Sequence, residues 1–293
     1  MGDEIIMATN NFKPFAIGSG ANVLSQADYE ALSALTSGFQ AGKASSAQIN
    51  KAIRQATVMA YVLAQFISDT SSTDVLDNGV PATILANLKS GLLSAAPGRL
   101  LNIQVFSASG TWTKTPGAKK AQIKCWGGGG GGGNTTTTAS GGGAGGGGGY
   151  SEGLFDVSLI TSAPVIVGSG GLSVAANTTA SGGNGGSSSV GSLISSSGGN
   201  GGTSTSGSTP GSSTLGGTIF AVSGQGGQGP VNALGGVGGA SFNSFGGLPH
   251  SAGSGDQGGY PGGGGAGGTK PTSTQYFASG AGANGYIIIM EYA

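Results

Sequence analysis

Apolar residues in the first third of the chain recur at spacings of three and four. Ile49, Ile53, Ala56, Ala60, Leu63 and Ile67 trace one stripe, the signature of an amphipathic helix. Ser45 or Ser46 is its candidate cap, and the pattern runs to about Ser68. Val58, Met59, Val62 and Phe66 widen the stripe until much of the circumference is apolar. Two sinks exist for that surface: the short neighbouring helices, or further copies of the same helix. A shorter helix is predicted from Ser25, with Asp28 at the third helical position in imitation of a capping box and Gly38 as its stop. A third is predicted over Pro81–Leu93, where proline suits the first turn and Ile84, Leu85, Leu88 and Leu92 form the apolar face.

Beyond Gly98 the period changes from helical to two. Leu101–Phe106 and Ala121–Trp126 alternate apolar and polar residues, with turn residues in Ser109–Gly117 between them. Further strands are expected at Gly153–Ile160, Pro164–Val167, Gly217–Val222 and Tyr286–Tyr292. Strands near both ends of this half imply a sheet that closes around its middle. The expected class is α+β, with a helical region over 1–97 and a sheet-rich region over 98–293.

Composition sharpens the division. The chain holds 65 glycines in 293 residues, about three times the usual share. Ten of them precede Gly127 and 55 follow Trp126, whereas ten of the 11 Lys and Arg precede Gly127. The runs are Gly127–Gly133, Gly141–Gly149 (broken by Ala144) and Gly262–Gly268 (broken by Ala266), with shorter pieces such as Gly182-Gly-Asn-Gly-Gly.

Three conformations compete for these runs. A flexible linker is what composition alone suggests, since ordering glycine is entropically expensive. Yet Lys124-Cys-Trp runs straight into Gly127, and Gly149 straight into Tyr150; a linker is not stitched so closely into strands. Collagen fails for want of a Gly-X-Y period. The remaining reading is a bundle of polyglycine II helices, three residues per turn, packed so closely that backbones bond to one another. That predicts a β-sandwich-like domain continued by packed threads whose connecting loops face outward, a recognition architecture.

Charge and chemistry exclude several functions. Charged residues are 8% and net charge is zero, so the chain has no electrostatic footprint for nucleic acid. The single Cys125 can form neither an internal disulfide nor a zinc site and reads as a small buried apolar residue. No phosphate loop or metal cluster is present in the sequence, and no cofactor is expected. The first residues lack the basic and apolar regions of a signal peptide, so synthesis in a cytoplasm without the standard export route is expected. The glycine-rich half holds only Glu152, Asp156, Asp256 and Glu291 as carboxylates and one histidine, His250. These read as surface groups, so no catalytic activity is expected.

Gly98-Arg-Leu-Leu-Asn-Ile-Gln-Val-Phe-Ser-Ala-Ser-Gly-Thr-Trp-Thr, followed by Ala121-Gln-Ile-Lys-Cys-Trp and a glycine run, resembles the glycine-rich terminal domain of phage and prophage tail fibres. Ala60–Ile67, Asp74–Gly79 and Leu85–Lys89 resemble the segment that often precedes it. The likeness covers about Phe12 to Tyr292. In style the glycine-rich part is also similar to tail-tip adhesins of T-even-type phages, which use a sandwich of polyglycine helices and bind outer-membrane proteins through distal loops. Those adhesins sit on a separate fibre protein, whereas this chain carries its own helical region. The resemblance implies a homotrimer in the virion, assembled in the host cytoplasm. It implies attachment to a tail or baseplate protein at the N-terminal end, and to a host outer-surface protein or polysaccharide at the other.

On that reading the stripe Ile49, Ile53, Ala56, Ala60, Leu63 and Ile67 is the candidate trimer interface. The receptor-binding candidates are the larger loop side chains Phe242, Phe245, His250, Tyr260 and Tyr276, since exposed aromatics stack on sugars or fill pockets in proteins. The same rings are equally suited to plug the glycine bundle. Three other functions remain in play: a purely structural tail or baseplate-associated fibre, an ice-binding protein suggested by the Thr-rich segments, and a polysaccharide depolymerase.

Overall fold

The computed structural model describes residues 8–39, 44–214 and 218–293. The opening residues 1–7, and Gly217 at the start of one expected strand, lie outside the described residues. The chain divides into two compact units, Met1–Pro97 and Gly98–Ala293. The first holds helices and the second antiparallel strands, an α+β chain.

In the first unit the run from Ser25 forms two short helices, α1 (Gln26–Glu30) and α2 (Ala34–Ser37), where one was expected. Ser25 caps the amide of Asp28 at 3.1 Å. Asp28 does not return the bond to the backbone; its carboxylate takes the Ser25 hydroxyl at 2.6 Å instead. Aspartate is one methylene shorter than the glutamate of a full capping box. Gly38 ends α2 with φ of 72°. Helix α3 (Ser46–Ser71) has the reciprocal box, with Ser45 and Gln48 each bonding the other's backbone amide. Helix α4 (Pro81–Ser94) starts on its proline.

Helix α4 reaches α3 through Gly91, where a Cβ would lie 2.3 Å from the Thr70 hydroxyl. Ala64, Ile67 and Val75 form the small core, with Phe12, Ile84 and Leu88 packed against it. This overturns one of the six interface candidates. Ile67 is wholly buried inside its own chain and is not available to a second copy. Ile49, Ile53, Ala56 and Leu63 remain exposed and Ala60 half-buried. The α4–Val75 core occupies the C-terminal end of the stripe and leaves the rest open.

The second unit has two five-stranded antiparallel sheets. One is ordered β1 (Leu100–Phe106), β12 (Tyr286–Tyr292), β3 (Lys120–Trp126), β5 (Tyr150–Asp156), β10 (Thr218–Val222). The other is ordered β2 (Gly110–Thr113), β6 (Ser162–Ile166), β7 (Ser188–Val190), β8 (Ile194–Ser196), β9 (Ser213–Thr214). A small pair joins β4 (Ser140–Gly141) to β11 (Thr269–Lys270). Ile123, Cys125, Ile287 and Ile289 from the first sheet share one core with Trp112, Val165, Val190 and Ile194 from the second.

Strand β2 falls within the segment read as a turn, and β7 and β8 fall in a serine-rich segment where no strand was expected. Trp112 in β2 is fully buried, and its indole N–H alone lacks a partner among the buried side-chain groups described. In β7 and β8 the inward serines are buried yet bonded: the Ser196 hydroxyl donates to the Cys125 carbonyl at 3.0 Å. Serine hid the alternation because here Ser188 and Ser196 fill core positions alongside Val190 and Ile194. Strand β5 also starts at Tyr150, earlier than its polar–apolar pattern suggested.

The glycine runs continue the sheet without a break in register. Lys120 opposes Asp156 and Trp126 opposes Tyr150. The next amides, of Gly127, Gly130 and Gly133, donate to the carbonyls of Gly149, Gly146 and Gly143 at 2.8–2.9 Å. The spacing has changed from two residues to three. The intervening amides turn elsewhere: Gly128 and Gly131 donate to Gly186 and Gly183, and Gly129 and Gly132 donate to Ala283 and Gly280. The carbonyls of this thread receive amides from Gly199 and Gly202, from Gly265 and Gly268, and from Gly171. Thread 127–133 is thus surrounded by six others. Thread 142–149 likewise donates in rotation to 262–268, 197–203 and 225–228.

Residues 127–133, 141–149 and 262–268 are buried throughout. A Cβ on Gly130 would lie 2.0 Å from the Asn200 carbonyl oxygen, and one on Gly145 2.0 Å from that of Gly130. Ala266 is admitted because it lies against Gly255, which has no side chain to oppose it.

Gly130→Ala is therefore expected to cost at least about 3 kcal/mol, the upper range for overpacking, or to prevent folding. Gly253→Ala, whose new methyl meets nothing closer than His250 Cβ at 3.6 Å, is expected to stay within about 0.5 kcal/mol. Denaturant unfolding of both variants checks the pair, and equal losses would contradict the close-packed account.

Candidate functional site

Strand-to-thread continuity gives the glycine-rich region two distinct ends. Threads leave the sheets at Trp126, Val167, Ser196 and Val222, and return at Tyr150, Ser188 and Tyr286. Turns 240–246 and 259–262 therefore lie at the sheet end. Turns 134–140, 173–181, 203–207, 229–234, 248–255 and 269–279 lie at the far end.

The five receptor-binding candidates divide between these ends. Phe242, Phe245 and Tyr260 are at the sheet end. Phe242 stacks on Tyr150 at 4.3 Å with an interplanar angle of 15°. Its carbonyl accepts the Trp126 indole N–H at 2.9 Å. Trp126 lies 4.6 Å from Tyr150 and 5.9 Å from Tyr286, and Tyr260 meets Tyr286 edge-on at 5.4 Å. These rings close the seam where side-chain packing hands over to backbone packing. Phe245 is exposed, but its ring lies over Gly259, where a Cβ would clash at 2.6 Å. Three candidates thus serve the bundle as plugs. A glycine lattice offers no side chains for its own border, and aromatics supply the missing area.

His250 and Tyr276 are at the far end and are not together. His250 Nε2 is 2.9 Å from Asp256 Oδ1, with both side chains about half exposed. Among the described residues no serine hydroxyl completes that pair. The Tyr276 ring covers the ammonium of Lys270 at 4.4 Å, and that ammonium also donates to the Thr136 carbonyl. Lys270 is the only cation after Gly127, and it is buried. It ties turn 134–140 to turn 269–279. Nearby, Asn134 does similar work, with its side-chain amide donating to the carbonyls of Ala175 at 3.1 Å and Phe277 at 3.0 Å.

The far end also carries a cavity of about 370 Å³. Residues 231–234, Ser251, Thr269 and Pro271 line it, from three different turns. None of these was singled out in the sequence. Val231 and Leu234 look like scattered aliphatics in a polar tract, and only the lattice brings their turn beside Pro271.

The carboxylates are engaged locally. Glu291 is fully buried and accepts from the Thr115 amide, the Thr115 hydroxyl and Gln104 at 2.7–2.8 Å. Glu152 accepts the Tyr150 hydroxyl at 2.6 Å. The Ser158 amide, with Lys120 beside it, holds the Asp156 carboxyl well below its usual range. Burial pushes the Cys125 thiol from 9.0 up to about 12, and burial with the Glu152 bond raises the Tyr150 phenol.

An antiparallel two-sheet unit that extends, in register, into a hydrogen-bonded glycine lattice defines the class as a glycine-rich domain. Residues 105–292 match the family model described as the glycine-rich domain, and the chain belongs to that family. No curated protein matches the chain.

Two expectations follow for the seam. Phe242→Ala should cost about 2 kcal/mol, below the ~3–5 of a fully buried ring because Phe242 is half-buried. A variant that unfolds with wild-type energetics would remove Phe242 from its role as a plug. Both raised groups favour the fold while protonated. Their contribution is complete below the unfolded values, about 8.5 for Cys and 10 for Tyr. It is lost as pH rises towards the folded ones. Stability should accordingly fall between pH 9 and 12, and less steeply in Cys125→Ala. Unfolding curves across that range read the difference; an identical slope in the variant would refute the assignment.

Proposed function

We propose that the chain is a phage tail-fibre receptor-binding protein whose far-end turns attach the virion to the bacterial surface. The threads are read as polyglycine II helices, the geometry that a hydrogen bond to the same neighbour every third residue calls for. One observation carries the functional reading. Six turns of unrelated sequence connect the threads at one end of a backbone-bonded block, which fixes where each turn begins and ends. A stiff mount lowers the ordering cost of binding, and turns on a rigid scaffold are the usual place for recognition residues.

Sequence resemblance to phage and prophage tail fibres supports the setting. Three copies joined along α3 accord with its exposed residues Ile49, Ile53, Ala56 and Leu63. With Ala60 between, their 4-3-4-3 spacing suits a helical seam. On this reading Phe242, Phe245 and Tyr260 cover the sheet-end border of the lattice, while His250 stays a contact candidate. The host and its receptor are partners of the far end alone.

The test is a graft. Replacing turns 173–181, 229–234 and 248–255 by Gly-Ser segments of equal length should abolish adsorption of the purified fibre to host cells. Replacing turn 203–207 alone should not. Light scattering on the same material should give the mass of three chains. Full adsorption by the triple graft would remove these three turns from the contact surface, full adsorption after the other far-end turns are replaced as well would end the far-end assignment, and a single-chain mass would end the trimer.

A further inference from the structure

We infer that the far-end cavity is a recognition pocket for a compact apolar side chain presented by a protein, rather than for a sugar. This deepens the receptor-binding reading and rests on it. The volume, about 370 Å³, is at the small end of ligand pockets. Val231, Ala233, Leu234 and Pro271 supply most of the wall, and no ionisable side chain lines it. Polar side chains come only from Asn232, Ser251 and Thr269, and the Thr269 hydroxyl already accepts the Gly235 amide at 3.1 Å.

A pyranose carries a hydroxyl on nearly every carbon, and each one buried without a partner is penalised. This wall has too few partners and no aromatic face for the ring to stack on. A leucine, methionine or phenylalanine side chain asks for neither. It needs apolar area and a fixed shape, and both are present. Val231 and Leu234 exchange both backbone hydrogen bonds, at 3.0 and 3.1 Å, and so close their turn. Thr269 pairs with Gly141 in the β4–β11 ladder. Val231 is also 67% exposed, an aliphatic group left in water beside the pocket although the surrounding turns are polar.

The probes are N-acetyl-L-leucinamide and N-acetyl-L-phenylalaninamide, set against methyl α-D-glucopyranoside and methyl α-D-mannopyranoside. Each is titrated into the full-length chain with methyl-labelled valine and leucine, followed by NMR. Saturable shifts of the Val231 and Leu234 methyls are expected with the amides alone. Ala233→Trp, which fills the pocket, should weaken the amide response by about tenfold. Val231→Ser, at a position 67% exposed, should weaken it as well. Saturable shifts with the glycosides, or none with the amides, would overturn the inference. Host-cell adsorption is read separately: if it persists while the amides leave these methyls unmoved, the receptor-binding reading stands and the pocket assignment falls.

Discussion

A buried amide or carbonyl must find a partner, and in this protein that requirement is met between threads instead of within helices or flat sheets. Three adjacent amides of one thread point to three different neighbours, and its carbonyls receive from three more. Such a lattice closes only if neighbouring backbones approach to a distance that excludes a Cβ. Each net hydrogen bond is worth only about 1 kcal/mol, and ordering each glycine costs a comparable amount relative to alanine. Stability therefore comes from completeness. A single carbonyl displaced by a methyl leaves several groups unpaired at once.

The same constraint explains the lengths of the runs. Threads 127–133, 142–149 and 262–268 are enclosed on every side, so nearly every position must be glycine. Outer threads have one face free and carry a larger residue there, as Asn184, Asn200 and Gln225 do. Ala144 and Ala266 are the exceptions inside, and Ala266 is matched by a glycine across from it. Register is inherited as well. The threads begin where β3, β5 and β12 end, so the apolar core shared by the two sheets sets which glycine faces which. The sandwich is the template and the lattice its extension.

What a turn packs against depends on which end of the threads it occupies. At the sheet end, turns must cover the border of a region that has no side chains, and aromatics are recruited for that. At the far end, the turns are fastened by a few polar ties, from Lys270 to Thr136 and from Asn134 to Ala175 and Phe277. Their outer side chains are left unspent. Aromatic character alone therefore does not mark a contact residue here: Phe242 and Tyr260 are plugs, whereas the pocket at the tip is lined by aliphatic residues.

Several features were legible in the chain. Periodicity gave α3, α4, β1, β3 and β12, because a helix or strand with one buried face must repeat at its own period. A serine at 45 or 46 and the proline of α4 marked helix starts, through local hydrogen bonding and a preset φ. The places where strands meet glycine located the join. Other features depended on contacts distant in sequence. Trp112 and the serines of β7 and β8 are core residues only because another sheet lies over them. Ile67 is internal only because α4 and Val75 cover it. Which end a turn occupies, and that Val231 and Pro271 share a pocket, depends on how the threads pack side by side. Local pattern records what each segment buries; only the assembled lattice decides which segment it is buried against.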